Sequence, residues 1–359
     1  MKKTLALLVL LFSFYAALSA QNNSSRVFSK AWVYPDIPEN IMINNIIDEN
    51  NNPACPVLPP DSMRVFGNIS GMAFDSNDNL YVWDDGYLAL WKFTQDGKKS
   101  WRRKFVKDGK AEGTYKMVGL AFAVSDDGKI CLGDKSNKTL SLLDSSGNFI
   151  RRFKVDMMPG TITFGKDGSI YVTGFAFTYS GDLVRHYSAT GQFLGSFCKR
   201  LGDKAIDWSG NSGHLTTDKD GNIYFAHSYP YKIEKFSKDG VLLKTIERKL
   251  DNFIAPKFAS MDGRTTVESQ SGLRGLTYIP QGYLLVIAFQ NTKKKIWTMD
   301  LIDLEGNIKA SLPGKEYPID FWYRYSACDS KGNLYYDLSS KTDPVIVKYN
   351  VNYDELVKK

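Results

Sequence analysis

Histidine and cysteine are scarce in this chain, three and four among 359 residues. That excludes a protein built on Cys/His metal clusters. Cys55, Cys131, Cys198 and Cys328 lie far apart with no CxxC pair. They read as buried thiols, since Cys131 occupies a strand position where other segments carry Tyr or Leu. Neither sign of charge dominates, with 46 Lys+Arg against 39 Asp+Glu. The basic residues are scattered without a stripe or an RNA-binding motif, which argues against nucleic acid as a partner. No nucleophile elbow, P-loop, HExxH motif, EF-hand loop or dinucleotide fingerprint occurs. DSNDN (75–79) and DKDGN (218–222) begin like calcium loops but lack the terminal Glu, so they read as turns. Beyond the first 20 residues no segment keeps a 3.6-residue apolar period for three turns, which excludes a helical fold. No later run is apolar enough to cross a bilayer.

What is present begins with export. Residues 1–20, MKKTLALLVLLFSFYAALSA, combine Lys2 and Lys3, an apolar run from Leu5 to Leu18, and small residues before Gln21. This reads as a secretory signal peptide. Its apolar run falls short of the roughly 20 residues that a membrane anchor needs. No Cys follows it to be acylated. Cleavage takes two lysines from the net charge of +7 and leaves +5, a modest balance that suits attraction to small acids or anionic glycans. A periplasmic or secreted, monomeric protein is expected, without membrane insertion. An oxidising compartment would permit a disulfide, though spacing does not say which.

Aromatics and glycine are plentiful, with 20 Tyr, 21 Phe, 7 Trp and 29 Gly, a mixture that favours short strands and tight turns. One pattern recurs: turn residues, an aliphatic anchor, then an aromatic or aliphatic pair. The anchors are Leu80, Ile130, Ile170, Ile223, Leu284 and Leu334, spaced by 50, 40, 53, 61 and 50 residues. Each follows an alternating strand. After the first five come a third strand, a second Gly turn (Gly97, Gly147, Gly191, Gly240, Gly306) and a fourth strand. The fold class read from this is all-β, a six-bladed β-propeller of four-stranded antiparallel blades. The sixth unit, from Pro318 to about Val351, shows three strands, and VFSKAWVY (27–34) is the N-terminal strand that closes the ring. The expected organisation is a signal peptide (1–20), a closing strand with a Pro/Asn-rich connection (21–61), and the propeller (62–359).

The second unit, VGLAFAVSDDGKICLGDKSNKTLSLLDSSGNFIRRF, resembles an NHL repeat at Gly119, Asp126, Gly128, Asp134, Asn137 and Gly147. Units one and four match in part and the others more loosely, over residues 62–351. The resemblance implies a propeller whose inner strands line a central channel. It also implies that the inter-blade connections and the loops after the second strands share one face, where binding sites usually lie.

Counting ten residues back from each anchor places Arg274 and Arg324 at one height near that mouth, with Tyr325 beside the second. Arginine offers a fixed fork of donors for carboxylate, sulfate or phosphate. Equally, each could pair with a local acid such as Asp84 or Asp134. Those two aspartates are candidate ligand contacts, and alternatively turn acceptors tying blades together. His214 and His227 flank one hairpin and are expected near one another, either as a metal or acid–base pair or as separate hydrogen-bonded rings. His186 aligns with Lys92, Lys235 and Lys348 on what reads as an outer, solvated face. The long connections 106–117, 199–213 and 247–272 add Trp208, Arg264 and Glu268 as rim contacts.

Two functions fit. The first is an exported, non-catalytic propeller binding a small anion, a glycan or a protein at the channel mouth, with no metal or cofactor expected. The second is a propeller lyase or lactonase-like hydrolase. The family resemblance implies that such enzymes hold zinc by several channel histidines with calcium, or a channel metal by acids. Here Asp84, Asp134 and Asp337 are the acids near the rim.

Overall fold

The computed structural model describes residues 27–34, 66–107, 111, 113–116, 121–175, 180–202, 212–261, 264–314, 326–337 and 344–358. Residues 1–26 and 35–65, which hold the expected signal peptide, the Pro/Asn-rich connection and Cys55, lie outside them. Six four-stranded antiparallel sheets form the ring. From the inside outward, blade one is β2 (Ile69–Phe74), β3 (Leu80–Asp84), β4 (Ala89–Phe93) and β5 (Lys99–Lys104). Blade two is β6 (Phe122–Val124), β7 (Ile130–Asp134), β8 (Thr139–Leu143) and β9 (Phe149–Lys154). Blade three is β10 (Pro159–Phe164), β11 (Ile170–Gly174), β12 (Val184–Tyr187) and β13 (Phe193–Phe197). Blade four is β14 (Gly213–Thr217), β15 (Ile223–His227), β16 (Lys232–Phe236) and β17 (Leu242–Glu247). A separate hairpin, β18 (Lys257–Met261) and β19 (Arg264–Glu268), precedes blade five. That blade is β20 (Gly272–Ile279), β21 (Tyr283–Asn291), β22 (Ile296–Asp303) and β23 (Ile308–Pro313). Blade six is β24 (Ser326–Cys328), β25 (Leu334–Asp337), β26 (Ile346–Val351) and, outermost, β1 (Phe28–Tyr34).

β1 pairs antiparallel with β26, from Phe28 opposite Val351 to Tyr34 opposite Ile346. The N-terminal strand therefore closes the ring, and the inner strands β2 and β24 touch. This leaves no open end to the stack. A short helix, α1 (Tyr353–Val357), follows β26, capped by the Asn352 side chain accepting from the Glu355 N–H at 3.2 Å.

The repeat alignment holds in register. In every blade the anchor stands opposite the residue six before it: Phe74, Val124, Phe164, Thr217, Tyr278 and Cys328. The core consists of six apolar clusters, one in each seam between neighbouring blades. Second strands lie between two seams, so β3, β7, β11 and β15 are buried along their whole length instead of alternating. Outer strands meet water, and β5 (KSWRRK) is almost wholly exposed. Removing a fully buried ring such as Trp83 would cost about 3–5 kcal/mol.

Glycine is demanded where hairpins tighten. Gly128 has φ 82°, and a Cβ there would meet Tyr81 Oη at 2.8 Å. The DSNDN and DKDGN segments are such hairpins. Asp75 accepts from the backbone N–H of Asn77 and Asn79, from Asn79 Nδ2 and from Tyr81 Oη. Asp218 repeats this with Asp220, Asn222 and Tyr224, and Asp329 with Lys331, Asn333 and Tyr335. Lys92, Lys235 and Lys348 lie over the rings of Tyr81, Tyr224 and Tyr335, with ammonium groups 3.3–3.8 Å from those aspartates. The face that reads from sequence as outer and solvated is thus a half-buried seam. His186 shares it, stacked on Tyr171. Cys131, Cys198 and Cys328 are free thiols.

Candidate functional site

The innermost strands enclose a channel with a cavity of about 370 Å³. Its wall is uneven. Blades one and two contribute chiefly apolar groups such as Met72, Phe74 and Phe122, whereas blades three to six set hydroxyls among apolar residues such as Ile162, Leu215 and Leu276. Thr163 Oγ1 and Thr217 Oγ1 are 3.0 Å apart, and Thr277 Oγ1 and Ser326 Oγ are 3.3 Å apart. Thr163, Thr216 and Thr277 hold the same repeat position, seven before the anchor. Aligning the units could have revealed this polar half, but the sequence reading passed over it.

The ten-before-anchor position has a physical meaning. In blades one, three and five the pairing register shifts between Ile69 and Gly71, Pro159 and Thr161, and Leu273 and Gly275. The bulged residues are Ser70, Gly160 and Arg274. A bulge bends its strand and re-aims the side chain. Ser70 is buried, while Arg274 is exposed and lines the channel. Arg324 and Tyr325 lie outside the described residues, as does Trp208.

His214 lines the channel next to Arg274. Burial and the nearby guanidinium pull its pKa down to about 4, against a hydrogen bond with the Leu273 backbone. At neutral pH the mouth therefore presents a guanidinium beside a neutral imidazole. Lining carboxylates, Asp126 and Asp218, belong to the opposite, hairpin end, where Lys166 Nζ pairs with Asp126 at 2.6 Å.

His227 is not part of this mouth. Gly213 stands opposite His227 and His214 opposite Ala226, so the two histidines sit one register apart and point to opposite faces of the blade. The expectation of a neighbouring pair is corrected. His227 turns toward blade three, fully buried, with Nε2 3.1 Å from Glu234 Oε2 and 3.9 Å from Cys198 Sγ. Neither Cys198 nor His227 was linked to Glu234 from sequence.

Asp84 and Asp134 occupy the same repeat position as His227 and are fully buried. Asp84 accepts from the backbone N–H groups of Gly67, Asn68 and Tyr87 at 2.8–3.1 Å. Asp134 accepts from those of Lys116, Ser136 and Asn137. Both are spent on holding the chain that enters their own blade. Asp337 is buried as well. Of the rim candidates, the Arg264 side chain is outside the description, and Glu268 pairs with Lys293 at 2.7 Å.

No protein-family model matches the chain, and no curated protein does. Likeness to solved structures is broad and remote. A protein of Bacteroides fragilis whose name marks it as a supposed exported protein shares 11% identity with a TM-score of 0.56, over 82% of this chain and 93% of that one. A DUF4221 family member from Bacteroides vulgatus shares 12% with a TM-score of 0.52, over 80% and 94%. A streptogramin B lyase shares 14% with a TM-score of 0.50, over 80% and 94%. At such identities the likeness shows the propeller fold alone. The NHL resemblance continues to rest on the residues of the second unit. No helix among the described residues is long and apolar enough to cross a membrane.

Proposed function

We propose that this is an exported binding module whose channel mouth takes a small anionic ligand, or the acidic group of a glycan or protein. The observation that carries this reading is Arg274, aimed by a strand bulge into the channel beside neutral His214. A guanidinium gives two parallel donors to one carboxylate, sulfate or phosphate. The neighbouring imidazole adds one donor or acceptor without competing charge. Below them the hydroxyl-rich half of the wall suits a polyhydroxylated body, and the apolar half suits its ring faces.

The lyase or lactonase alternative needs a channel metal. Among the described residues lining the channel, His214 is the sole histidine; of the lining carboxylates, Asp126 pairs with Lys166 and Asp218 holds its hairpin, while Asp84, Asp134 and Asp337 are buried away from the channel. Binding without catalysis is the reading better supported.

The test is a thermal-shift screen of carboxylates, sulfated and phosphorylated sugars on the wild type and Arg274→Ala. We expect at least one anion to raise the wild-type Tm and to leave the variant unmoved. Should Arg274→Ala lose several degrees in buffer alone, the guanidinium is a structural ion-pair member and the reading fails.

A further inference from the structure

We infer that Cys198, His227 and Glu234 form a site for one divalent transition-metal ion of the zinc class, in the seam between blades three and four. Three elements of two blades bring the groups together. Cys198 follows β13 and has φ 67°, a left-handed conformation uncommon for a residue with a side chain. His227 ends β15, and Glu234 lies in β16. Their ligand atoms form a small triangle, with Sγ–Oε2 3.2 Å, Nε2–Oε2 3.1 Å and Sγ–Nε2 3.9 Å. Zinc bonds of about 2.0–2.3 Å at tetrahedral angles put ligand atoms roughly 3.3–3.5 Å apart, so shifts of a few tenths of an ångström admit the ion.

The surroundings favour a metal over a plain hydrogen-bond cluster. All three side chains are buried, in a seam otherwise made of residues such as Val184, Phe197 and Phe225. The His227 ring packs edge-to-face on Phe225 and aims Nε2 into the triangle, while Nδ1 has no partner among the described residues. Lys232 Nζ binds the other carboxylate oxygen, Oε1, at 2.8 Å. It fixes the carboxylate plane and leaves Oε2 turned inward, as outer partners of metal ligands do.

The molecule contains its own comparison. Glu234 stands opposite Phe225, and Asp300 holds the same place in blade five, opposite Val286. There the residue that follows the preceding blade's outer strand is Arg248, whose guanidinium meets Asp300 at 2.5 Å. The equivalent residue before Glu234 is Cys198. Where blade five meets its buried acid with a cation from the preceding blade, blade four has a thiol at that place and an imidazole beside it, with its own Lys232 on the far carboxylate oxygen. A thiolate, an imidazole and one carboxylate select zinc-like ions over calcium or magnesium. On binding, the thiol gives up its proton to solvent, and the thiolate and carboxylate charges offset the ion while the Lys232 ammonium stays on Oε1. The fourth position is left to water, and the ion clips blade three to blade four.

The test uses the full chain, stripped by a chelator and titrated with cobalt(II), then zinc. We expect one equivalent of cobalt, a thiolate-to-cobalt charge-transfer band that zinc abolishes, and a higher Tm with either metal. Cys198→Ser should lose the band, Glu234→Gln should bind at least tenfold more weakly, and His186→Gln, outside the triangle, should keep the wild-type cobalt stoichiometry and band. Circular dichroism of the metal-free variants checks their fold. Should Cys198→Ser fail to fold, alkylation of the wild type followed by peptide mapping decides: bound cobalt must protect Cys198. A wild type without the band, or one whose stoichiometric binding survives in both Cys198→Ser and Glu234→Gln, overturns the inference.

Discussion

His186 stacks on Tyr171 with ring centroids 4.4 Å apart and planes 15° from parallel, where three other blades set a lysine over a tyrosine. Blade three has replaced the whole Asp–Asn–Tyr–Lys staple except its tyrosine: Gly165, Ser169 and His186 stand for Asp, Asn and Lys. The replacements depend on one another. A Cβ at Gly165 would meet Ser169 Oγ at 2.6 Å. We expect Gly165→Asp alone to cost about 1–3 kcal/mol. The triple change with Ser169→Asn and His186→Lys should recover most of that loss in urea unfolding. Additive losses would refute the coupling.

The staple itself can be weighed at Asp218, whose carboxylate serves the Asp220 and Asn222 backbone, Asn222 Nδ2 and Tyr224 Oη. Asp218→Ala strands these donors beside the Lys235 ammonium. We expect a loss of about 2–4 kcal/mol. A loss below 1 kcal/mol in denaturant titration would show the turn to be set by the backbone instead.

Acid should act before the carboxylates titrate. Burial lowers the pKa of all three histidines, His214 from 6.5 to about 4. The unfolded chain therefore takes up protons near 6.5 while the folded one does not. Stability is full above that pH and falls as the pH drops toward 4, by about 3 kcal/mol for His214. Urea midpoints of metal-free protein across this window should show the slope, and His214→Gln should flatten part of it. A flat wild-type curve would contradict the burial of the imidazoles.

Blades four and five are joined by Asp300, which is fully buried and accepts from Tyr231 Oη at 2.7 Å and Ser311 Oγ at 2.6 Å besides pairing with Arg248. We expect Asp300→Ala to cost about 3–5 kcal/mol, because it leaves a cation and two hydroxyls without their acceptor. A change within 1 kcal/mol would mean that water takes over.

Ring closure predicts a shared fate. Deleting residues 21–35 strips β1 and opens the outer edge of β26. We expect a single, still cooperative transition with Tm about 5–10 °C lower. An unchanged melt would refute the terminal pairing.

The ring was legible because its punctuation is local. Gly/Asp turns and aliphatic anchors repeat at each hairpin, and a two-residue side-chain period fixes the register between them. The site was legible only in part. Arg274 could be assigned a height, but the bulge that aims it depends on pairing with β21. His214 and His227 were placed on the right hairpin and wrongly joined. One residue of register separates the faces, and index arithmetic without a known turn length cannot resolve it. Glu234 escaped notice because a lone acid in KIEKF looks like any exposed strand charge until β15 covers it. The β18–β19 hairpin is hidden for a related reason, since its strands sit inside a polar connection.

The pairing of Phe28 with Val351 also sets an order in time. The strand that leads this stretch of chain has no partner until nearly all of it has been made. Blades one to five can form from neighbouring residues as they emerge, whereas the sixth waits for both ends. The leading strand stays uncommitted until then, and arrival of the trailing strand locks the circle.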